Sequence, residues 1–165
     1  MPESEFIEHC KNNTVDRDYW SGKIDNENID LAFCHCCKHN DISLIRWFRD
    51  QVNVNIHCDQ DMPFIWACGN GARDVAQYLY EQGNVNTNTI YGAPFRWACG
   101  GGHTSIAQWL LNHNSKIDIR VLADEAFRWT KTGQHLHTAI WLTTLCDSYS
   151  ITPYPGGSFD INIVD

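Results

Sequence analysis

The stretch FCHCCKHN, residues 33–40, brings Cys34, His35, Cys36, Cys37 and His39 together, and His57-Cys58 follow it. Thiolate and imidazole groups are the ligands of tetrahedral zinc, commonly supplied as two separated pairs. Cys34-x-x-Cys37 is one such pair, and His57-Cys58 is a candidate for the second. The same Cys-x-x-Cys spacing is that of a redox dithiol, although no βαβ pattern surrounds it. Against both readings, a helix here would turn Cys36 and Cys37 inward. Catalytic motifs are missing: there is no G-x-S-x-G, P-loop or H-E-x-x-H. GNGARD and GGGH are rich in glycine, but their surroundings place them between two helices. A phosphate cradle needs a strand before the glycines. The expectation is a non-enzyme with no catalytic residue, no cofactor and no resident metal. A zinc or redox module around Cys34, Cys37, His57 and Cys58 is the alternative.

Charge and composition narrow the partners. The formal net charge is −8, which argues against a nucleic-acid binder with its basic face. The chain is 43% hydrophobic and 12% aromatic, enough to build a core in 165 residues. No apolar run is long enough for a membrane span. MPESEFIEHCKNN lacks the basic-then-apolar order of a secretory signal, so the eight cysteines are expected as reduced intracellular thiols. Nucleic acid and membrane are therefore not expected partners.

An internal repeat gives the cysteines a different explanation. Phe33, Phe64, Phe95 and Phe127 follow one another at 31, 31 and 32 residues. Two positions after them stand His35, Trp66, Trp97 and Trp129. Four after stand Cys37, Cys68, Cys99 and Lys131, and seven after stand Asn40, Gly71, Gly102 and Gln134. Fourteen after stand Trp47, Tyr78, Trp109 and Trp141, then Phe48, Leu79, Leu110 and Leu142. A weaker copy begins at Phe6, with Cys10 and Trp20 in register. Five units result, at about 4–27, 28–58, 59–89, 90–121 and 122–146, with a tail at 147–165. Buried cysteine behaves as a small hydrophobe, and the recurrent slot reads as core.

Each unit reads as two helices. Pro63 suits a first helical turn, and Phe64, Ala67 and Cys68 share one face. Gly69-Asn70-Gly71 then breaks the helix, and Val75, Ala76, Tyr78 and Leu79 form a second stripe. Neither helix buries its stripe alone, so neighbouring units must stack. At this point the chain resembles the ankyrin repeat, whose pattern begins T-P-L-H-x-A-A. Met62-Pro63-Phe64-Ile65-Trp66-Ala67-Cys68 and Ala93-Pro94-Phe95-Arg96-Trp97-Ala98-Cys99 stand in those slots, and Gly71-Ala72 and Gly102-His103 follow in the G-H slot. The departures are a period of 31, where the family has about 33, and the motif's histidine replaced by Ile65, Arg96 or Arg128. FRWAC…GGH…IAQWLL is similar to the divergent ankyrin repeats of giant DNA viruses of amoebae.

The resemblance implies an all-α ankyrin-repeat solenoid of about five helix-turn-helix units with short finger loops. It implies a protein–protein interaction module, monomeric or a subunit of a hetero-complex. A host-interaction factor in the host cytoplasm is one form of this, and a structural component of a viral particle is the other. Partners would meet the finger tips and first-helix ends. Those map to Asn28, Asp30, Asp59, Asp61, Thr89, Ile90, Tyr91, Val121, Leu122 and Asp124, with Lys38, His39, Asn70, Gly100, Gly101 and Thr132 at helix ends. Ile90, Tyr91, Val121 and Leu122 are either partner anchors or covers of the repeat junctions. Trp97, Cys99 and the offset-fourteen aromatics are expected in the core, and His103 at a turn. Arg96 and Arg128 are expected to stack on Trp97 or Trp129, or to pair with Asp61 or Asp124. The tail either folds back as a strand over the last repeat or serves as a linear peptide.

Overall fold

The computed structural model describes residues 2–24 and 29–164. Its helices come in five consecutive pairs: α1 (Pro2–Asn12) and α2 (Arg17–Trp20), α3 (Ile29–Cys37) and α4 (Ile42–Gln51), α5 (Cys58–Gly69) and α6 (Arg73–Glu81), α7 (Thr89–Gly100) and α8 (Thr104–His113), α9 (Val121–Thr132) and α10 (Leu136–Thr143). The tail forms a hairpin of β1 (Tyr149–Pro153) and β2 (Phe159–Ile163), paired antiparallel. The described residues are thus all-α apart from this one small sheet.

The turn inside each pair shows how the period is written into the backbone. Asn13, Asn40, Gly71, Gly102 and Gln134 stand seven residues after the five phenylalanines, and each has a positive φ, between 54° and 79°. A helix that ends on one left-handed residue can reverse immediately. Glycine takes that conformation freely, and asparagine is the next most tolerant residue. Asn40 does a second job. Its Oδ1 accepts from Asp74 N at 2.8 Å and Val75 N at 3.4 Å, and its Nδ2 donates to Asp74 at 3.0 Å. It therefore caps α6, whose own N-cap, Ala72, has no side chain to offer.

The chain divides into two compact units. One holds the residues up to Ala67 together with Ala72–Asn86, and the other holds Cys68–Gly71 with the chain from Thr87 onward. In the first unit, α1 packs on α3, α3 on α4, and α4 on α6. Phe6 lies 4.9 Å from Trp20 and 5.6 Å from Phe48, and Phe48 lies 5.5 Å from Phe33, centroid to centroid. In the second unit, α7 packs on α8 and α9, and α10 on α8 and α9. The hairpin lies against α9 and α10, where Tyr149 stacks on Phe127 at 4.3 Å and 8°. The four anchor rings and Cys10, Cys37, Cys68 and Cys99 all have no accessible surface. In the last repeat the cysteine slot holds exposed Lys131, which pairs with Asp160 of β2.

Two expectations for aromatic residues need correction. Trp97 is 37% exposed, because it lies outside the helix pair. Of the offset-fourteen aromatics only Trp109 is buried, while Trp47, Tyr78 and Trp141 are half-buried. They sit at the rim of the core with polar neighbours, as Tyr78 does where Arg49 donates to its hydroxyl at 2.8 Å.

The double role of Asn40 separates into two measurements. Asn40→Gly keeps the left-handed turn and loses the cap, and is expected to cost about 1 kcal/mol. Asn40→Ala also strains the turn, and is expected to cost about 2 kcal/mol in all. Urea midpoints of the two variants test this, and equal losses would contradict the double role.

Candidate protein-binding surface

Each first helix after α3 opens with a left-handed turn. Asp59, Gln60 and Asp61 have φ of 46°, 58° and 65°, and Ile90, Tyr91 and Gly92 have 46°, 54° and 72°. Leu122 and Asp124 repeat the pattern at 53° and 63°. Left-handed residues with a Cβ cost roughly 1–2 kcal/mol each, so the surroundings must hold these turns in place. At Asp61 the carboxylate accepts from Asn86 N at 3.1 Å and bonds His57 Nδ1 at 2.6 Å. At Asp124 it accepts from the Tyr149 hydroxyl at 2.6 Å and Arg120 Nε at 2.9 Å. These donors hold the Asp124 carboxyl below the usual carboxylate range against the opposing effect of its burial. The middle turn has Gly92 in the third position. There Arg96, 4% exposed, donates to the carbonyls of Ile90 at 2.8 Å and Tyr91 at 3.1 Å. Arg96, in the slot of the motif's histidine, so ties down the carbonyls of the middle turn. Its guanidinium also lies over Trp129, 5.6 Å from the ring centroid, and pairs with Glu125. The stacking on Trp129 was among the expectations; the acid is Glu125 rather than Asp61 or Asp124.

The third finger position is buried at Asp61, Gly92 and Asp124, and so is Thr89, which precedes the middle finger. This corrects three of the expected partner-binding residues. Asp61, Thr89 and Asp124 are buried at 7%, 6% and 6% exposure. Asp61 and Asp124 are turn-fixing acceptors. Asp59, Asn70, Tyr91 and Leu122 are exposed, and Ile90 and Val121 are half-buried. Asn28 lies outside the described residues.

The sequence reading missed a groove in the second unit. It has a volume of about 440 Å³ and is lined by Gly69, Trp97, Gly100, Gly101, Trp129, Thr132 and Gly133. Trp97 lies against Gly69 and Trp129 against Gly100. A Cβ on Gly69 would stand 3.0 Å from the Trp97 Cβ, and one on Gly100 2.9 Å from Trp129 Cε3. Bare backbone lets each indole approach the preceding turn closely. The signal was available: tryptophan recurs two after the anchor and glycine five after it at Gly69 and Gly100. Behind the groove His103 lies under the turns at Gly71 and Gly101 and bonds the Gly69 carbonyl. Burial, reinforced by neighbouring His135, lowers its pKa.

The cysteine-histidine cluster does not close into a ligand set. Cys34 and Cys58 bring their sulfurs to 3.8 Å, but His57 is turned to Asp61 and Cys37 is sealed in the core. Among the described residues no group of three or more His, Cys, Asp or Glu side chains is placed to hold a metal ion. Nor is any described helix long and apolar enough to cross a membrane.

A family model for ankyrin repeats, in three copies, matches residues 33–121, more than half of the chain. The chain belongs to the ankyrin-repeat family. No curated protein matches it significantly. Ankyrin repeats are generally protein–protein interaction modules and are typically non-enzymatic.

The buried imidazoles set a pH dependence. His35 shares the lowered pKa of His103, with burial the main cause, and its Nδ1 is buried without a hydrogen-bond partner. Unfolded, these rings take up protons near 6.5; folded, they do so only at lower pH. Their contribution is complete above 6.5 and is lost as pH falls below it. Asp41 and Asp124, both lowered from 3.8, lose theirs only in stronger acid. Urea midpoints at about pH 7 and about pH 5 should fall in the wild type and fall less in His103→Gln. An unchanged drop in the variant would remove His103 from the account.

Proposed function

We propose that the chain captures a partner protein through the outward side chains of the first helices in its second unit. Tyr91 and Leu122 are the anchors, the Trp97–Trp129 groove of the same unit is a second socket, and Ile90, Val121 and Asn70 form the margin. One observation carries this reading: Tyr91, Leu122 and Trp97 are 70%, 52% and 37% exposed in repeats whose anchor rings, Phe95 and Phe127, have no accessible surface. Large apolar side chains held in solvent by a fixed backbone are the usual core of a binding patch. The left-handed turns support it further, since strained backbone concentrates where geometry serves recognition. A net charge of −8 favours a neutral or basic partner surface. The similarity to repeats of giant DNA viruses supports a host protein as that partner, met in the host cytoplasm.

The test is affinity capture with Tyr91→Asp combined with Leu122→Asp, both at exposed positions. The expected result is at least a tenfold loss of captured partner, about 1.4 kcal/mol or more, with an unchanged thermal melt. Full capture by the folded double variant would show that another surface binds.

A further inference from the structure

We propose that Cys34 and Cys58 are a site of reversible oxidation, in which a hydroperoxide converts the two thiols to a disulfide. It is independent of the binding face and rests on geometry within the first unit. Their sulfurs lie 3.8 Å apart, already in contact. A disulfide requires about 2.05 Å, a distance that small rotations of two side chains can reach. Both cysteines line an open pocket of about 390 Å³, with Leu31 and Trp66 on its apolar side and Asp30 and Asp59 on its polar side. Cys58 is half-buried, so a small oxidant reaches it directly.

The protein contains its own control. Cys10 and Cys36 are also in hydrogen-bonding contact, but both are 0% exposed. Cys37 is likewise sealed. Contact between thiols therefore occurs twice among the described residues, and contact with an opening to solvent occurs at Cys34 and Cys58. The chemistry divides between them. The hydrogen bond to Cys58, and then burial, keep Cys34 protonated, while the bond it donates favours the thiolate of Cys58. Thiolate is the reactive form.

The Cys58 thiolate attacks one peroxide oxygen and the O–O bond breaks. Cys58 becomes a sulfenic acid, and the departing hydroxide takes a proton to become water. The Cys34 sulfur then attacks the Cys58 sulfur. The S–S bond forms, the S–O bond breaks, and the second hydroxide leaves as water with the Cys34 proton. Two thiols are oxidised by two electrons, and one hydrogen peroxide is reduced to two waters. An external dithiol reverses the step by exchange. The bond joins the end of α3 to the start of α5 and draws together two walls of the pocket.

The chain is treated with near-stoichiometric hydrogen peroxide, unfolded in denaturant and alkylated, and mapped by tandem mass spectrometry. Fragmentation is needed because Cys34, Cys36 and Cys37 share one tryptic peptide, and Cys58 and Cys68 share another. The expected product has lost two hydrogens, links Cys34 to Cys58, and leaves the other six cysteines alkylated. Dithiothreitol restores all eight. The melting temperature of the oxidised form rises by roughly 5–10 °C through loop closure. Cys58→Ser abolishes both the link and the rise, whereas Cys36→Ala retains them. A link at Cys10–Cys36 instead would overturn the proposal. So would Cys34 and Cys58 remaining alkylatable after other thiols have reacted, or Cys58 ending only as sulfinic acid or in links between molecules.

Discussion

A pair of short helices cannot hide a phenylalanine from water by itself, and the rest of this structure depends on that constraint. Each pair has one apolar stripe per helix and a turn of three or four residues, too little to enclose a ring. Phe33, Phe64, Phe95 and Phe127 nevertheless have no accessible surface. In the first unit Phe33 is closed by Phe48, which Phe6 reaches in turn. At the other end no further repeat follows, and Tyr149 of the hairpin stacks on Phe127 in its place. The cysteine slot obeys the same rule. Cys37, Cys68 and Cys99 are sealed, and the same position of the last repeat, which faces the hairpin, is an exposed lysine paired with Asp160.

Much of this was legible because burial repeats with the period. A residue type that returns every 31 or 32 positions marks a slot, and the slots held for the anchors, the cysteines and the turn glycines. The turn at Asn13 was overlooked although it stands in the same register. Direction was harder to read. Asp61 and Asp124 belong to the fingers, but the left-handed turn buries the third side chain, and no helical or strand period describes that. Trp97 was misplaced for a related reason. A tryptophan in an amphipathic repeat reads as core, yet here a glycine in the preceding turn gives it a resting place outside. The hairpin was open between two readings because Ile-polar alternation fits a docked strand and a free peptide equally well.

The two surfaces with chemical potential lie in different units and differ in kind. In the second unit, backbone held in left-handed turns presents Tyr91 and Leu122, and the same unit carries a groove lined by indole and bare glycine. Arg96 steadies the middle finger by bonding its carbonyls from the slot where the motif has histidine. In the first unit, Cys34 and Cys58 meet although neither shares a repeat slot with the other. Their juxtaposition comes from the fold rather than from the Cys-x-x-Cys spacing that first drew notice.

Thiol alkylation under native conditions tests the central claim most directly, because one residue type samples the same slot in several repeats. The account predicts that Cys10, Cys37, Cys68 and Cys99, all fully buried, label together and only on global unfolding. Burial also raises the thiol pKa of Cys68 and Cys99, which slows them further. Half-buried Cys58 and Cys146 should label first. Slot cysteines that react as fast as Cys146 in the folded chain, or at rates unrelated to one another, would contradict the equivalence of the repeats.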